Sequence, residues 1–265
     1  MDGIACLIGG AHVYWYGTVA SLAIAAGLFV TWPIARLRGL RFSPVVDFLL
    51  CGILLGLACG RLLYVALHLA QYEGRWGDVF ALSAGGLSIY GAFAGFLLAV
   101  WLCCRADAFL FWRWLDALTP AMLVGLALDQ LGHFVFQASV GVPFDGRIAE
   151  YVEYAFRPSG FEGYEYFFPV ALYQSVWQVA VFLLSLLLTY LQVAQGRLAE
   201  GAVFLSSFLL VAAGRFFFGF FYLTTQPDTL HTGQWFALAG CGLSLALLIR
   251  RRMRRRVSVW RGFGA

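Results

Sequence analysis

Four ionisable residues sit deep inside apolar stretches of this 265-residue chain: Arg61, Asp129, His133 and Arg215. A charged side chain at such a depth costs about 2.5–3.5 kcal/mol on insertion scales, so each is a candidate for function. Asp129 and His133 are four residues apart, the spacing that puts two side chains on one face of a helix. A carboxylate beside an imidazole fixes the ring's tautomer and raises its basicity. Gln130 and Gln137 add amides on nearby faces. Two arginines facing a bundle interior, without enough acids to match, suit an anionic lipid headgroup. A second reading stays open, in which Asp129 neutralises Arg61 or Arg215 from another span and His133 bonds a backbone carbonyl. Asp47, Asp116 and His68 lie nearer the ends of apolar runs, where interfacial water accounts for them.

The elements that position these residues follow from composition. The chain is 62% hydrophobic, 17% aromatic and only 12% charged, with a mean hydropathy of +0.80. Soluble domains carry about 25% charged residues. The balance excludes intrinsic disorder and argues against a water-soluble enzyme, whose core could not hide so much apolar surface. A membrane-spanning helix needs about 20 mainly apolar residues. Seven stretches qualify, at roughly 14–35, 45–69, 84–104, 115–137, 168–192, 201–223 and 233–249. The expected fold is therefore all-α: a polytopic membrane protein of seven transmembrane helices, forming one transmembrane domain over 1–265.

Orientation comes from arginine placement, since all 18 basic residues are Arg. Arg36, Arg38, Arg41, Arg105, Arg113, Arg197 and a tail over 250–265 fall on one side, against Arg75, Arg147 and Arg157 on the other. The positive-inside rule puts the N-terminus outside and the C-terminus in the cytoplasm. The net charge of +4 is thus mostly an arginine anchor for an anionic leaflet and not a surface for nucleic acid. The longest loop, 138–167, becomes a small outer head. Its aromatic residues read either as an interfacial belt or as a lid over a lipid or peptide site. Gly52, Gly56 and Gly60, with Gly91 and Gly95, recur every four residues and read as close helix packing. The six cysteines form no CxxC pair and read as small buried hydrophobes, not metal ligands.

Several motifs resemble those of the prolipoprotein diacylglyceryl transferase family, in order and over nearly the whole chain. Trp15-Tyr16-Gly17 resembles the family's early WYG, and Gly60-Arg61-Leu62-Leu63-Tyr64 its GRxxY. Gly85-Gly86-Leu87-Ser88-Ile89-Tyr90-Gly91 resembles GGxSxHGG, and Leu131-Gly132-His133-Phe134 resembles the RLGNF stretch. Pro169-Val170-Ala171-Leu172-Tyr173 resembles HPxxLYE. Gly214-Arg215-Phe216 with Gln226-Pro227-Asp228 resembles FRxxxEFFRxPD, and Gly233-Gln234 resembles the closing MGQ. Gly141 matches a family glycine just outside span four.

The resemblance implies a seven-helix body with a periplasmic head in the bacterial cytoplasmic membrane, lateral lipid entry, and no metal or organic cofactor. It implies transfer of a diacylglyceryl group from phosphatidylglycerol to the thiol of a lipobox cysteine, releasing glycerol phosphate. The departures fall on the chemistry. Tyr90 stands where the family has His, Gln130 and His133 where it has Arg and Asn, and Gly219 and Tyr222 where it has an acid and an Arg. Phe168 and Gln174 replace a His and an acid. One lost charge-assisted contact of this kind costs roughly 3 kcal/mol, or about a hundredfold in rate.

Two functions follow. In the first, the centre is rebuilt: His133, oriented by Asp129, is the base; Arg61 and Arg215 hold the phosphate; Tyr90 donates a hydrogen bond; Tyr16, Gln130, Gly141 and Tyr173 line the lipid site. In the second, the chain is a non-catalytic paralogue that binds a phospholipid or lipoprotein or serves as a subunit of a membrane complex.

Overall fold

The computed structural model describes residues 4–8, 11–72, 74, 76–80, 85–223 and 230–262, with backbone alone at 4–8, 11–16, 70–71, 76 and 254–262. Seven α-helices dominate the described residues: α1 (Trp15–Leu37), α2 (Pro44–Leu67), α3 (Ile89–Cys103), α4 (Ala108–Val135), α5 (Val170–Val193), α6 (Ala202–Phe218) and α7 (Thr232–Gly262). Six of these are long and apolar enough to cross a membrane, and α3 is a shorter apolar helix. Two small antiparallel hairpins qualify the all-α expectation. One pairs β1 (Ile4–Ile8) with β2 (Ala11–Tyr14), and the other pairs β3 (Glu150–Tyr151) with β4 (Tyr166–Phe167).

The chain divides into two compact units, one of residues 35–115 and one of 1–34 with 116–265. In the first, α2 and α3 pack through their glycines. A Cβ on Gly91 would lie 2.9 Å from the Gly60 Cα, and one on Gly95 would lie 2.6 Å from the Leu55 carbonyl carbon. Backbones this close leave no room for any side chain, which is what the four-residue glycine spacing implies. Phe48 and Trp114 close one end of this unit edge to face at 5.0 Å, both almost fully buried. Helix α3 starts at Ile89, later than the expected 84. Gly85 and Gly86 have positive φ, and the Ser88 hydroxyl accepts from the Gly91 amide at 3.5 Å as an N-cap, so the chain cannot be helical before Ser88.

In the second unit, α1 runs against α4: Gly27 meets Ala121 and Gly132 meets Val19. The Ser175 hydroxyl on α5 donates to the Ala127 carbonyl of α4 at 2.9 Å. The Trp177 indole donates to the Leu210 carbonyl of α6 at 3.0 Å, in the space that Gly214 leaves. Asp116 overturns its expected place in interfacial water: it is 0% exposed. Its carboxylate accepts from the Gly201 and Phe204 amides at 2.6 and 2.8 Å and from Gln192 Nε2 at 2.7 Å. The acid therefore caps α6, whose first amides have no partner of their own. The cysteines also differ from expectation: of those described, Cys104 alone is buried and Cys103 is exposed. On a lipid-facing helix, an apolar side chain gains nothing from facing inward.

The head begins where α4 ends. Gln137 has φ +50°, the left-handed cap that stops a helix. Its side chain then donates to the Tyr151 carbonyl at 2.9 Å and accepts from the Glu153 amide at 3.1 Å. Residues 141–144 run extended. The Val142 amide bonds the Phe221 carbonyl, the Phe168 amide bonds the Val142 carbonyl, and the Phe144 amide bonds the Tyr166 carbonyl. Val152 and Phe167 form a buried centre, and Tyr151, Tyr154, Tyr164 and Tyr166 stay exposed around it.

Replacing Asp116 by Ala strands two buried amides, each loss worth roughly 1–3 kcal/mol. Thermal unfolding in detergent should therefore rank wild type above Asp116→Asn above Asp116→Ala. Equal midpoints for wild type and Asp116→Ala would refute the capping role. Glu150 in the head is half-buried, and desolvation raises its pKa from 4.5 to about 7. The folded head thus holds a proton that the unfolded chain releases, so stability falls as pH rises from 4.5 to about 7 and is level outside that window. Glu150→Gln should flatten that slope in unfolding midpoints measured across the same range.

Candidate functional site

In the 35–115 unit, Arg61 is 6% exposed on an apolar helix. Its Nε donates to the Val79 carbonyl at 2.8 Å and its Nη2 to the Asp78 carbonyl at 2.6 Å. Its Nη1 donates to the carbonyls of Gly85 and Gly86 at 2.6 and 3.0 Å. The Tyr64 and Tyr72 rings lie 5.9 and 5.5 Å from the guanidinium carbon. A cation in this setting is compensated by converging carbonyl dipoles and by aromatic faces. Gly86, at φ +78°, is required twice: for its backbone, and because a Cβ there would lie 2.8 Å from Nη1. The GRxxY-like and GGxS-like segments are therefore one physical object, a loop drawn onto α2. Arg61 was expected to grip a phosphate; four of its five N–H groups instead hold this loop. Tyr90 sits half-buried in the first turn of α3.

The other unit holds the rest of the candidate chemistry. At the end of α4, His133 Nε2 lies 3.8 Å from Asp129 Oδ2, with the two side chains 32% and 31% exposed. The separation is too long for a hydrogen bond. Among the described residues, the ionisable side chain that Asp129 meets is thus His133 and not an arginine. The other ring nitrogen, Nδ1, is 3.1 Å from the Ser139 hydroxyl. Ser139 escaped the sequence reading because it is six residues beyond His133, a spacing that no helix brings together. The left-handed turn at Gln137 does so by folding the chain back.

Arg215, near the end of α6, is half-buried. Its Nη1 makes one long hydrogen bond, 3.4 Å to Gln174 Oε1, and its guanidinium carbon lies 5.8 Å from the Tyr222 ring centroid. The Tyr222 hydroxyl donates to the same Gln174 oxygen at 3.0 Å. Gln174 therefore accepts where an acid would, and among the described residues no carboxylate pairs with Arg215. Among the described residues, Gln174 Nε2, Gln178 Oε1 and Gln130 Oε1 are buried without a hydrogen-bond partner. Buried amide atoms of this kind ask for a polar ligand or ordered water. Gly219 carries no acid, and a Cβ there would run into Gln234, which itself bonds the His231 amide and the Phe216 carbonyl.

Gly141 sits where a Cβ would lie 2.7 Å from Val170 Cγ2 and 3.0 Å from the Phe221 carbonyl oxygen. Its bridge to Tyr222 ties the head to the residue that faces Arg215. Tyr173 stacks on Phe168 at 5.0 Å and 7°, and Phe168 stacks on Phe221 at 4.8 Å, so the residue in the family's His position is part of an aromatic wall. The Tyr16 side chain and Gln226-Pro227-Asp228 lie outside the described residues.

Multiple apolar helices define a multi-pass membrane protein, and its described residues carry an arginine beside a partly unpartnered buried amide and an imidazole–carboxylate pair. The family model for prolipoprotein diacylglyceryl transferase matches residues 3–250, and the chain belongs to that family. A phosphatidylglycerol–prolipoprotein diacylglyceryl transferase of Synechocystis is 32% identical over 183 residues, covering 69% of this chain and 65% of the relative. Its namesake in Gloeobacter violaceus is 29% identical over 252 residues, covering 94% and 93%. One from Listeria welshimeri is 27% identical over 262 residues, covering 96% and 91%.

Lysine cannot reproduce the planar fork of Arg61, and hydrogen bonds to charged groups contribute about 1.5–3 kcal/mol each. Arg61→Lys should therefore lower the detergent unfolding midpoint and speed proteolysis at residues 78–80 and 85–86. A variant with wild-type stability and wild-type cleavage would show that the clamp is dispensable.

Proposed function

We propose that the chain is an active diacylglyceryl transferase with a rebuilt reaction centre, moving a diacylglyceryl group from phosphatidylglycerol to the cysteine thiol of a prolipoprotein. The single observation that carries this reading is the contact of His133 with Asp129, two groups on span four where the family pattern has neither. A thiol has a free pKa of about 8.5, so attack needs a base. His133 supplies it, and Asp129 stabilises the imidazolium that forms. The thiolate attacks the glycerol carbon bearing the phosphate, the C–S bond forms, and the C–O bond breaks with its electron pair leaving on glycerol phosphate. Arg215, which donates to the neutral Gln174, meets the charge that develops on that phosphate. Gln130, Tyr173 and Gly141 shape the lipid site around it. In the other unit, Tyr90 is a hydrogen-bond donor and Arg61 holds residues 78–79 and 85–86.

The setting proposed is the bacterial cytoplasmic membrane, with seven crossings, the N-terminus outside and the C-terminus in the cytoplasm. Arginine asymmetry between loops supports the orientation. Helix α3 is 15 residues long and rises about 22 Å, less than the hydrocarbon thickness of about 30 Å. Its glycine-to-glycine contact with α2, a full-length span, supports counting it as the seventh crossing.

The test is transfer to a lipobox peptide by purified protein in phosphatidylglycerol vesicles, read by mass spectrometry as the thioether product. Wild type should react, and His133→Ala and Arg215→Ala should each lose roughly a hundredfold or more. Wild-type turnover no greater than that of His133→Ala would overturn the reading and leave a non-catalytic lipid binder in its place.

A further inference from the structure

The base proposed above has a feature that its neighbours dictate. The carboxylate of Asp129 faces Nε2 of His133, so the neutral ring is favoured with its hydrogen on Nε2. That leaves the lone pair on Nδ1, the nitrogen 3.1 Å from the Ser139 hydroxyl. With that tautomer the basic nitrogen faces a serine whose O–H donates to it. Both residues remain half-exposed, which leaves the serine oxygen open to an incoming group. The order Asp129, His133, Ser139 is that of a carboxylate–imidazole–hydroxyl array with the two ring nitrogens exchanged.

We propose that Ser139 is the proton relay of this centre, standing between the acceptor thiol and His133. As the thiol S–H bond breaks, its proton passes to Ser139 Oγ, and the proton that Ser139 carried passes to His133 Nδ1. The serine ends as it began, the thiolate is free to attack, and the imidazolium faces Asp129. The end of α4 adds to this, because a helix C-terminus favours a positive ring. The proton leaves the ring for the departing phosphate. Ser139 is unlike a hydrolase nucleophile in one respect that the geometry makes plain: it stands beyond the carboxyl end of α4, where unpaired carbonyls and not amides gather, so no oxyanion is stabilised by that helix end.

The inference rests on the reading of His133 as the base, and the two fail separately. Full-length protein is compared as wild type, Ser139→Ala, Ser139→Thr and His133→Ala in the vesicle assay, with 15N NMR of ring-labelled histidine as a second readout. Ser139→Ala should lower kcat roughly tenfold to a hundredfold with KM unchanged, part of the usual contribution of a general base. Ser139→Thr, which keeps the hydroxyl, should recover to within about threefold of wild type. The His133 signals should report an Nε2–H tautomer in wild type and in Ser139→Thr, with Nδ1 losing its hydrogen-bond shift in Ser139→Ala. If His133→Ala abolishes transfer while Ser139→Ala keeps wild-type kcat, the relay is wrong and the base stands. If His133→Ala keeps wild-type activity, both are wrong. An Nδ1–H tautomer in wild type overturns the relay whatever the rates.

Discussion

One backbone angle organises the candidate centre. Gln137 holds a left-handed conformation that only glycine and asparagine adopt readily, at a cost of about 1–3 kcal/mol when held by its surroundings. Its own side chain supplies that hold, by bonding the backbone of Tyr151 at the end of β3 and of Glu153 just beyond it. From this turn follow three things at once. Helix α4 stops, Ser139 folds back to His133, and the extended run from Gly141 reaches both Phe168 and the segment that carries Tyr222. A residue with no amide at this position would lose the tie to the head and the alignment of the ring together.

Charge is handled in two ways that differ in kind. Arg61 is surrounded by backbone oxygens and aromatic faces until little of its hydrogen-bonding capacity is left over. Arg215 is kept near one neutral acceptor, Gln174. Asp116 is a third case: a fully buried carboxylate matched by amide hydrogens at a helix start. Each is tolerable in a low-dielectric interior because polar partners are close, and among the described residues no carboxylate is paired with Arg215.

Much of this was legible beforehand. The apolar runs gave the helices to within several residues, and the glycine spacing gave the contact between α2 and α3. The pair Asp129 and His133 was legible because helical periodicity is local. What escaped was set by chain reversals and distant partners. Ser139 depends on a turn at a glutamine, Arg61 on where a loop some 20 residues away places its carbonyls, and Asp116 on a helix start more than 80 residues later. The β1–β2 hairpin is a different miss: two short apolar runs flank Gly9-Gly10, a hairpin signal that the overall hydrophobicity hid inside the approach to span one.

The loop pinned by Arg61 has a consequence for traffic through the membrane. Residues 78–79 and 85–86 are held by four hydrogen bonds to one buried guanidinium, with Gly86 wedged against it and against the Tyr64 ring, and cannot move off α2 without losing all four. They are a fixed wall. On the transferase function proposed for this chain, diacylglycerol tails come and go past some other boundary, where helices face one another through exchangeable apolar side chains and not through a network that opens all at once.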